Sequence, residues 1–163
     1  MAYDQHTLYG GALVSVIIAA CVAGIAITGG PGQARKERED RVRATAMAGT
    51  AVALACYYQE FGNIPDDLTI VETELSKAAS PARQQAVCAT AEIQKDPISD
   101  EYFRLERDAG EVTHICGDFA TTRQENGNYS GYPSRYIVPD LDKTRESPGE
   151  HCYDLNLSAK MEY

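Results

Sequence analysis

The side chains best suited to chemistry lie late in the chain: His114 with Cys116, and His151 beside Cys152. Two imidazoles and two thiols are a ligand set that tetrahedral zinc accepts. On strands, residues 114 and 116 share one face, but the adjacent 151 and 152 point to opposite faces. Four-way convergence would need a bulge, so a disulfide with exposed histidines is expected and no metal ligand is assigned. Outside the apolar N-terminal stretch, the cysteines are Cys56, Cys88, Cys116 and Cys152. An even number in a small domain reads as two disulfides in an oxidising compartment. Of the three pairings, Cys56–Cys88 with Cys116–Cys152 is favoured. Each closes a loop of roughly 30 residues or slightly more, worth about 3–4 kcal/mol in the chain-entropy model. The alternative is a set of buried, reduced thiols in a cytoplasmic domain. Cys21, within the apolar stretch, reads as a small apolar residue.

No other pattern in the chain carries a reaction. There is no Gly-x-Ser-x-Gly elbow, P-loop, dinucleotide fingerprint, haem-attachment Cys-x-x-Cys-His or His-Glu-x-x-His. The paired carboxylates Asp66-Asp67, and Asp140 with Asp142, sit in turn-forming surroundings that fit capping and solvation better than acid–base work. A net charge of -9 argues against nucleic-acid binding, which needs a basic surface. No catalytic residue, cofactor or small-molecule substrate is therefore inferred. Asn128-Tyr129-Ser130 matches a glycosylation triplet at chance frequency.

The elements that position the cysteines begin with residues 8–28, LYGGALVSVIIAACVAGIAIT, which carry no charge and no proline. A helix of that length spans roughly 31 Å, matching a bilayer core of about 30 Å. No polar face interrupts it, so a single transmembrane helix is expected after a short tail at 1–7. A cleaved signal peptide fits less well, because MAYDQHT lacks Lys and Arg and the apolar run is too long. Gly11, Ser15, Ala19 and Ala23 recur every four residues, with Ala20 and Gly24 beside them. Small residues at that spacing let a second membrane helix approach closely. Leu13, Val14, Ile17, Ile18, Ile25 and Ile27 form the opposite, lipid-suited face.

Residues 29–33 (GGPGQ) read as a hinge, and 34–163 as one extramembrane α+β domain of about 130 residues. The run ARKEREDRVR then carries five basic residues, which by the positive-inside rule would place the domain in the cytoplasm. The cysteine count places it outside. A helix is predicted over about 34–61, with a small-residue centre (ATAMAGTAVALAC) able to lie close against a sheet. Leu54, Tyr58 and Phe61 should point to the core, and Gly62 should end the helix. Asp66 or Asp67 should cap a second helix over about 67–78, and Ser80-Pro81 should open a third over about 81–94. Alternation in EYFRLER and EVTHICGDFAT, about Asp108-Ala109-Gly110, predicts a hairpin of strands near 101–107 and 111–121. Residues 122–149 read as a long surface loop in which Tyr129, Tyr132 and Tyr136 offer a partner surface or a local cluster. EHCYDLNLS predicts a third strand near 150–158.

An anchor, then a helix ending in YYQEFGNIPDDL, then a small antiparallel sheet, resembles type IV pilins and the pseudopilins of type II secretion. The chain is more similar to uncharacterised bacterial single-span membrane proteins with a pilin-like extracytoplasmic domain. The stretches that carry this are GGPGQARKEREDRVR, the turn at 57–68, DPISDEYFRLER, HICGDFAT and HCYDL, about half of the chain. The resemblance implies a helical segment packed on a three-stranded antiparallel sheet, a periplasmic domain on the inner membrane, and pairing of the last two cysteines. A pilin precursor has a Gly-Phe-Thr-Leu-Ile-Glu-like cleavage motif, whereas this chain has Leu8-Tyr9-Gly10-Gly11 with no acidic residue there. The expected role is a non-catalytic accessory subunit whose partners are the lipid bilayer and the transmembrane helices of a larger complex. A self-assembling pilin-like protein is the alternative, and a metal-binding ectodomain a weaker one.

Overall fold

The computed structural model describes residues 5–28, 30–123 and 133–161, with the side chains of 5–8 and 25–28 left out. The chain divides into two units, Met1–Glu37 and Arg38–Tyr163. In the first, α1 runs from Gln5–Thr28. Among the described residues, no helix is long and apolar enough to cross a membrane. Residues 30–33 of the expected hinge are helical. Helix α2 is Gly30–Phe61, so Pro31 and Gly32 lie in its first turn, where proline's missing N–H costs no helical bond.

The second unit is α+β: helices with one three-stranded antiparallel sheet in the order β1-β2-β3. Its core begins on α2, where Asp40, Arg43, Ala44, Met47, Ala51 and Leu54 recur at helical spacing and are buried. Gly62 ends that helix in a left-handed conformation, its N–H donating to the Tyr58 carbonyl at 2.7 Å. Leu54 is fully buried and Tyr58 half-buried as expected, but Phe61 is exposed and lies against Tyr57, with ring centroids 4.5 Å apart. Helix α3, Leu68–Ser76, is capped by Asp67, whose Oδ1 accepts from Thr69 N–H at 2.9 Å. Asp66 instead pairs with Arg107 at 3.0 Å, while Arg107 also donates to the carbonyls of Ile64 and Pro65.

The predicted third helix over 81–94 does not form. Two single 3-10 turns, Pro81–Arg83 and Ala86–Cys88, take its place. Ser80 supplies no capping bond, and the Arg83 guanidinium holds the carbonyls of Leu75 and Ala89. Farther on, Thr50 Oγ1 donates to Gln94 O at 2.7 Å and accepts from Gln94 N at 3.0 Å. The Cys88 bond to Cys56 and this clasp pin the middle and the end of the segment to α2, and these tertiary bonds override the helix propensity of its alanines.

Strands β1 (Arg104–Asp108) and β2 (Glu111–Phe119) form the predicted hairpin. Ala109 and Gly110 both have positive φ, 49° and 91°, as a two-residue primed turn requires. A bulge lies between Glu106 and Arg107. Strand β3, Gly149–Asp154, pairs with β2 and is shorter than predicted. Gly117 faces α2: a Cβ there would lie 2.5 Å from Met47 Cε, so glycine permits the close approach of sheet and helix.

The expected surface loop at 122–149 is a correction too. One turn of helix, α4 (Ser134–Ile137), and a 3-10 turn at Pro139–Asp142 bring Ile137, Val138 and Leu141 into the core with no exposure. The Asn128 triplet, Tyr129 and Tyr132 lie outside the described residues; Tyr136 is exposed beside Arg135.

Charged side chains join these parts inside the core. Asp40 accepts from the N–H groups of Ala120 at 2.8 Å and Thr121 at 2.9 Å, and from Thr121 Oγ1 at 2.6 Å. Arg43 Nε meets Asp96 at 2.6 Å, and Arg145 lies 3.8 Å from Asp40 with its guanidinium over the Phe119 ring at 3.7 Å. Removing one partner of a buried ionic cluster leaves the others uncompensated. Asp40→Ala is therefore expected to lose about 3–5 kcal/mol of unfolding free energy, read from urea titration. A loss below about 1 kcal/mol, the value of an exposed pair, would contradict it.

Candidate functional site

The sheet turns Ile115, Gly117, Phe119 and Tyr153 toward the core, and its alternate residues outward. Strand register sets these outward residues in rows. Glu106, His114 and Asp154 form one; Arg104, Cys116 and Cys152 form the next; Asp118 opposite Glu150 follows. The middle row holds the Cys116–Cys152 disulfide, a bond between directly opposed strand residues with Cα atoms 4.0 Å apart. Cys116 is buried, 2 % exposed, while Cys152 reaches solvent. The other disulfide, Cys56–Cys88, is buried at both ends and ties α2 to the 86–88 turn. Both bonds match the favoured pairing, with separations of 36 and 32 residues.

The imidazoles do not join the sulfurs. His114 Nε2 lies 2.8 Å from Asp154 Oδ1, and its Nδ1 lies 2.9 Å from Thr113 Oγ1 and 3.9 Å from Glu106. His151, on the opposite face, has Nε2 2.8 Å from the Ser147 carbonyl. The four residues first weighed for zinc thus split, as adjacency of 151 and 152 implied. Sequence reasoning overlooked Glu106 and Arg104, whose place beside Cys116 follows from hairpin register: 104 opposes 116, and 106 opposes 114.

Arg104 organises this face electrostatically. It donates to Glu150 through Nε at 2.9 Å and Nη2 at 2.7 Å, and to Glu106 through Nη1 at 2.9 Å. Nη2 also approaches Cys152 Sγ at 3.4 Å. The hydrogen bonds to Glu150 and Glu106 hold the guanidinium pKa above its ordinary value, and the Arg104 bond holds Glu150 below the usual glutamate range.

The α1 residues expected to pack helices are all exposed: Gly11, Ser15, Ala19, Ala20, Ala23 and Gly24. A Cβ at Gly11 or Gly24 would meet nothing within 4 Å. Ser15 Oγ donates to the Gly11 carbonyl at 2.9 Å, which satisfies the hydroxyl within the helix. Large apolar side chains are exposed on the same helix, among them Leu13, Val14, Ile17 and Ile18. Elsewhere, an open groove of about 670 Å³ lies along Gln59, Gln85, Val87 and Lys160, and lacks a convergent set of titratable groups. No family model, curated protein or solved structure matches this chain.

The Glu150 shift fixes a sign. A carboxyl group with a depressed folded pKa stabilises the fold above its unfolded value, and that contribution is lost as pH falls through the folded one. Carboxyl-carbon NMR should find the Glu150 midpoint below that of an ordinary glutamate, and Arg104→Met should raise it. An unchanged midpoint in the variant would show that Arg104 does not hold this carboxylate.

Proposed function

We propose that this chain is a single-pass membrane protein, a non-catalytic accessory subunit of a larger membrane complex. Its α+β domain would lie on the periplasmic side of the inner membrane. The observation that carries this conclusion is the uncharged stretch at 8–28, which lies within one helix, Gln5–Thr28. Helical backbone satisfies its own polar groups, as hydrocarbon demands, and the one hydroxyl in the middle of the stretch is bonded back to the helix. Exposed Leu13, Val14, Ile17 and Ile18 suit lipid contact, while Gly11, Ser15, Ala19 and Ala23 would leave room for a neighbouring helix backbone. Two disulfides support an oxidising compartment for the domain, against the basic run at 35–43.

A second reading, self-assembly in the manner of pilins, is favoured by the order of elements: a long helix leading into a small antiparallel sheet. Purification in mild detergent separates the two. Foreign subunits should co-purify with an accessory subunit, and a ladder of identical chains with a pilin-like protein.

The anchor should resist alkaline carbonate extraction, and recovery in the soluble fraction would contradict it. Within a complex, Gly11→Leu or Ala19→Leu should reduce co-purification of partners at least tenfold while leaving membrane extraction unchanged, because a bulky side chain on the small-residue face separates the backbones. Assembly that survives both substitutions would remove the packing role from that face.

A further inference from the structure

Strand β1 lies at one edge of the sheet and has β2 as its neighbour. In an antiparallel pair, opposed residues alternate between hydrogen-bonded positions, with Cα atoms about 5.5 Å apart, and non-bonded positions, about 4.5 Å apart. Cys116 and Cys152, at 4.0 Å, are a non-bonded pair, so the backbone groups of Cys116 turn the other way, to Arg104. Arg104 and Glu106 therefore direct their N–H and C=O groups to β2, while those of Leu105 point away from the sheet. Among the described residues, no group is paired with them. This edge borders an open groove of about 360 Å³. Tyr102, Leu105 and Arg107 line it on the strand side, and Asp66, Asp67 and Leu68 line it at the start of α3. We propose that the edge and the groove bind an extended peptide of a partner protein as a fourth strand, with an apolar side chain in the groove and a basic one beside Asp66 and Asp67.

An added strand takes its affinity from the main chain and its specificity from pockets that receive alternate side chains. Leu105 offers the incoming peptide both an N–H donor and a C=O acceptor. Its side chain is half-buried and stands opposite Ile115, which faces the core, so the groove opens on the core-ward side of the edge. Every second residue of the peptide points to that side. Leu68, Tyr102 and Leu105 supply the apolar wall there. The charge of the lining selects the neighbouring residue. The Arg107 guanidinium is already bonded to the carbonyls of Ile64 and Pro65 and to Asp66. Glu72 and Lys95, which both meet Tyr102, offset each other. Two carboxylates remain against one engaged guanidinium, and the Asp66 side chain is 95 % exposed. The charged side chains of β1 itself, RLERD, resist indiscriminate pairing with other edges.

The site lies wholly within the α+β domain, and its test does not depend on membrane anchoring. The full chain in detergent micelles is titrated with two fluorescein-labelled peptides, VKVKVKV and VEVEVEV, and binding is read by anisotropy. The lysine peptide should bind about tenfold more tightly or better. The Leu105 amide should exchange readily in the free protein and about tenfold or more slowly in the complex. Asp66→Lys alters an exposed side chain, so the fold is kept, and it should weaken the lysine peptide about fivefold or more. Leu105→Pro deletes the outward N–H and leaves the β1–β2 bonds in place, as proline on an edge strand can, and should weaken either peptide about tenfold. Failure of the lysine peptide to bind overturns the proposal. So does equal binding of the two peptides, unchanged affinity in Asp66→Lys, or a Leu105 amide whose exchange the peptide does not slow. A Leu105 amide protected without peptide and released on dilution also overturns it, since a second copy of the chain then occupies the edge.

Discussion

One buried carboxylate ties the long helix of the domain to the end of its sheet. Asp40 is 2 % exposed and receives three hydrogen bonds from the chain just past β2, so it joins the long helix to the sheet's far end. Two backbone N–H groups just past the end of β2 have left the strand ladder and need acceptors, and Asp40 of α2 supplies them. Arg43, one turn along, reaches Asp96 in the segment that leads to the hairpin, and Arg145 closes the cluster from the segment before β3. Four parts of the chain far apart in sequence therefore meet at one charged locus. These bonds and the stacking of Arg145 on Phe119 act against its cost in desolvation, to which the buried, unpartnered Arg145 Nε adds.

Around that locus, packing is close because the helix offers little bulk. Alanines at 44, 48, 51 and 55 and Gly117 across from Met47 let helix and sheet approach, and the Cys56–Cys88 bond and the Thr50 clasp hold the 86–96 segment against the other side. What remains outward is the polar face of the sheet, where charge, imidazole and sulfur are set out by strand register.

Local rules made much of this legible. The hairpin could be read because Ala109-Gly110 and the flanking alternation agree, and α3 because Asp67 stands where a cap belongs. The α+β class could also be read from the sequence, and of three possible disulfide pairings the favoured one is formed. Two of the misses come from long-range contacts that local pattern does not display. Ser80-Pro81 looks like a helix start, but Cys88 and Gln94 are tied to α2. Residues 122–149 look polar, yet Ile137, Val138 and Leu141 are wholly buried. Within ARKEREDRVR the burial of Asp40 and Arg43 had a signal that went unused: both continue, one turn earlier, the helical stripe of Ala44, Met47, Ala51 and Leu54.

Whether Asp40 holds the structure as described is most directly tested by native-state hydrogen exchange on the full chain. The amides of Ala120 and Thr121 should exchange only with global unfolding, together with those at the centre of β2, because their acceptor is a buried carboxylate. Exchange at these two amides far ahead of the strand, as at a fraying end, would contradict the account.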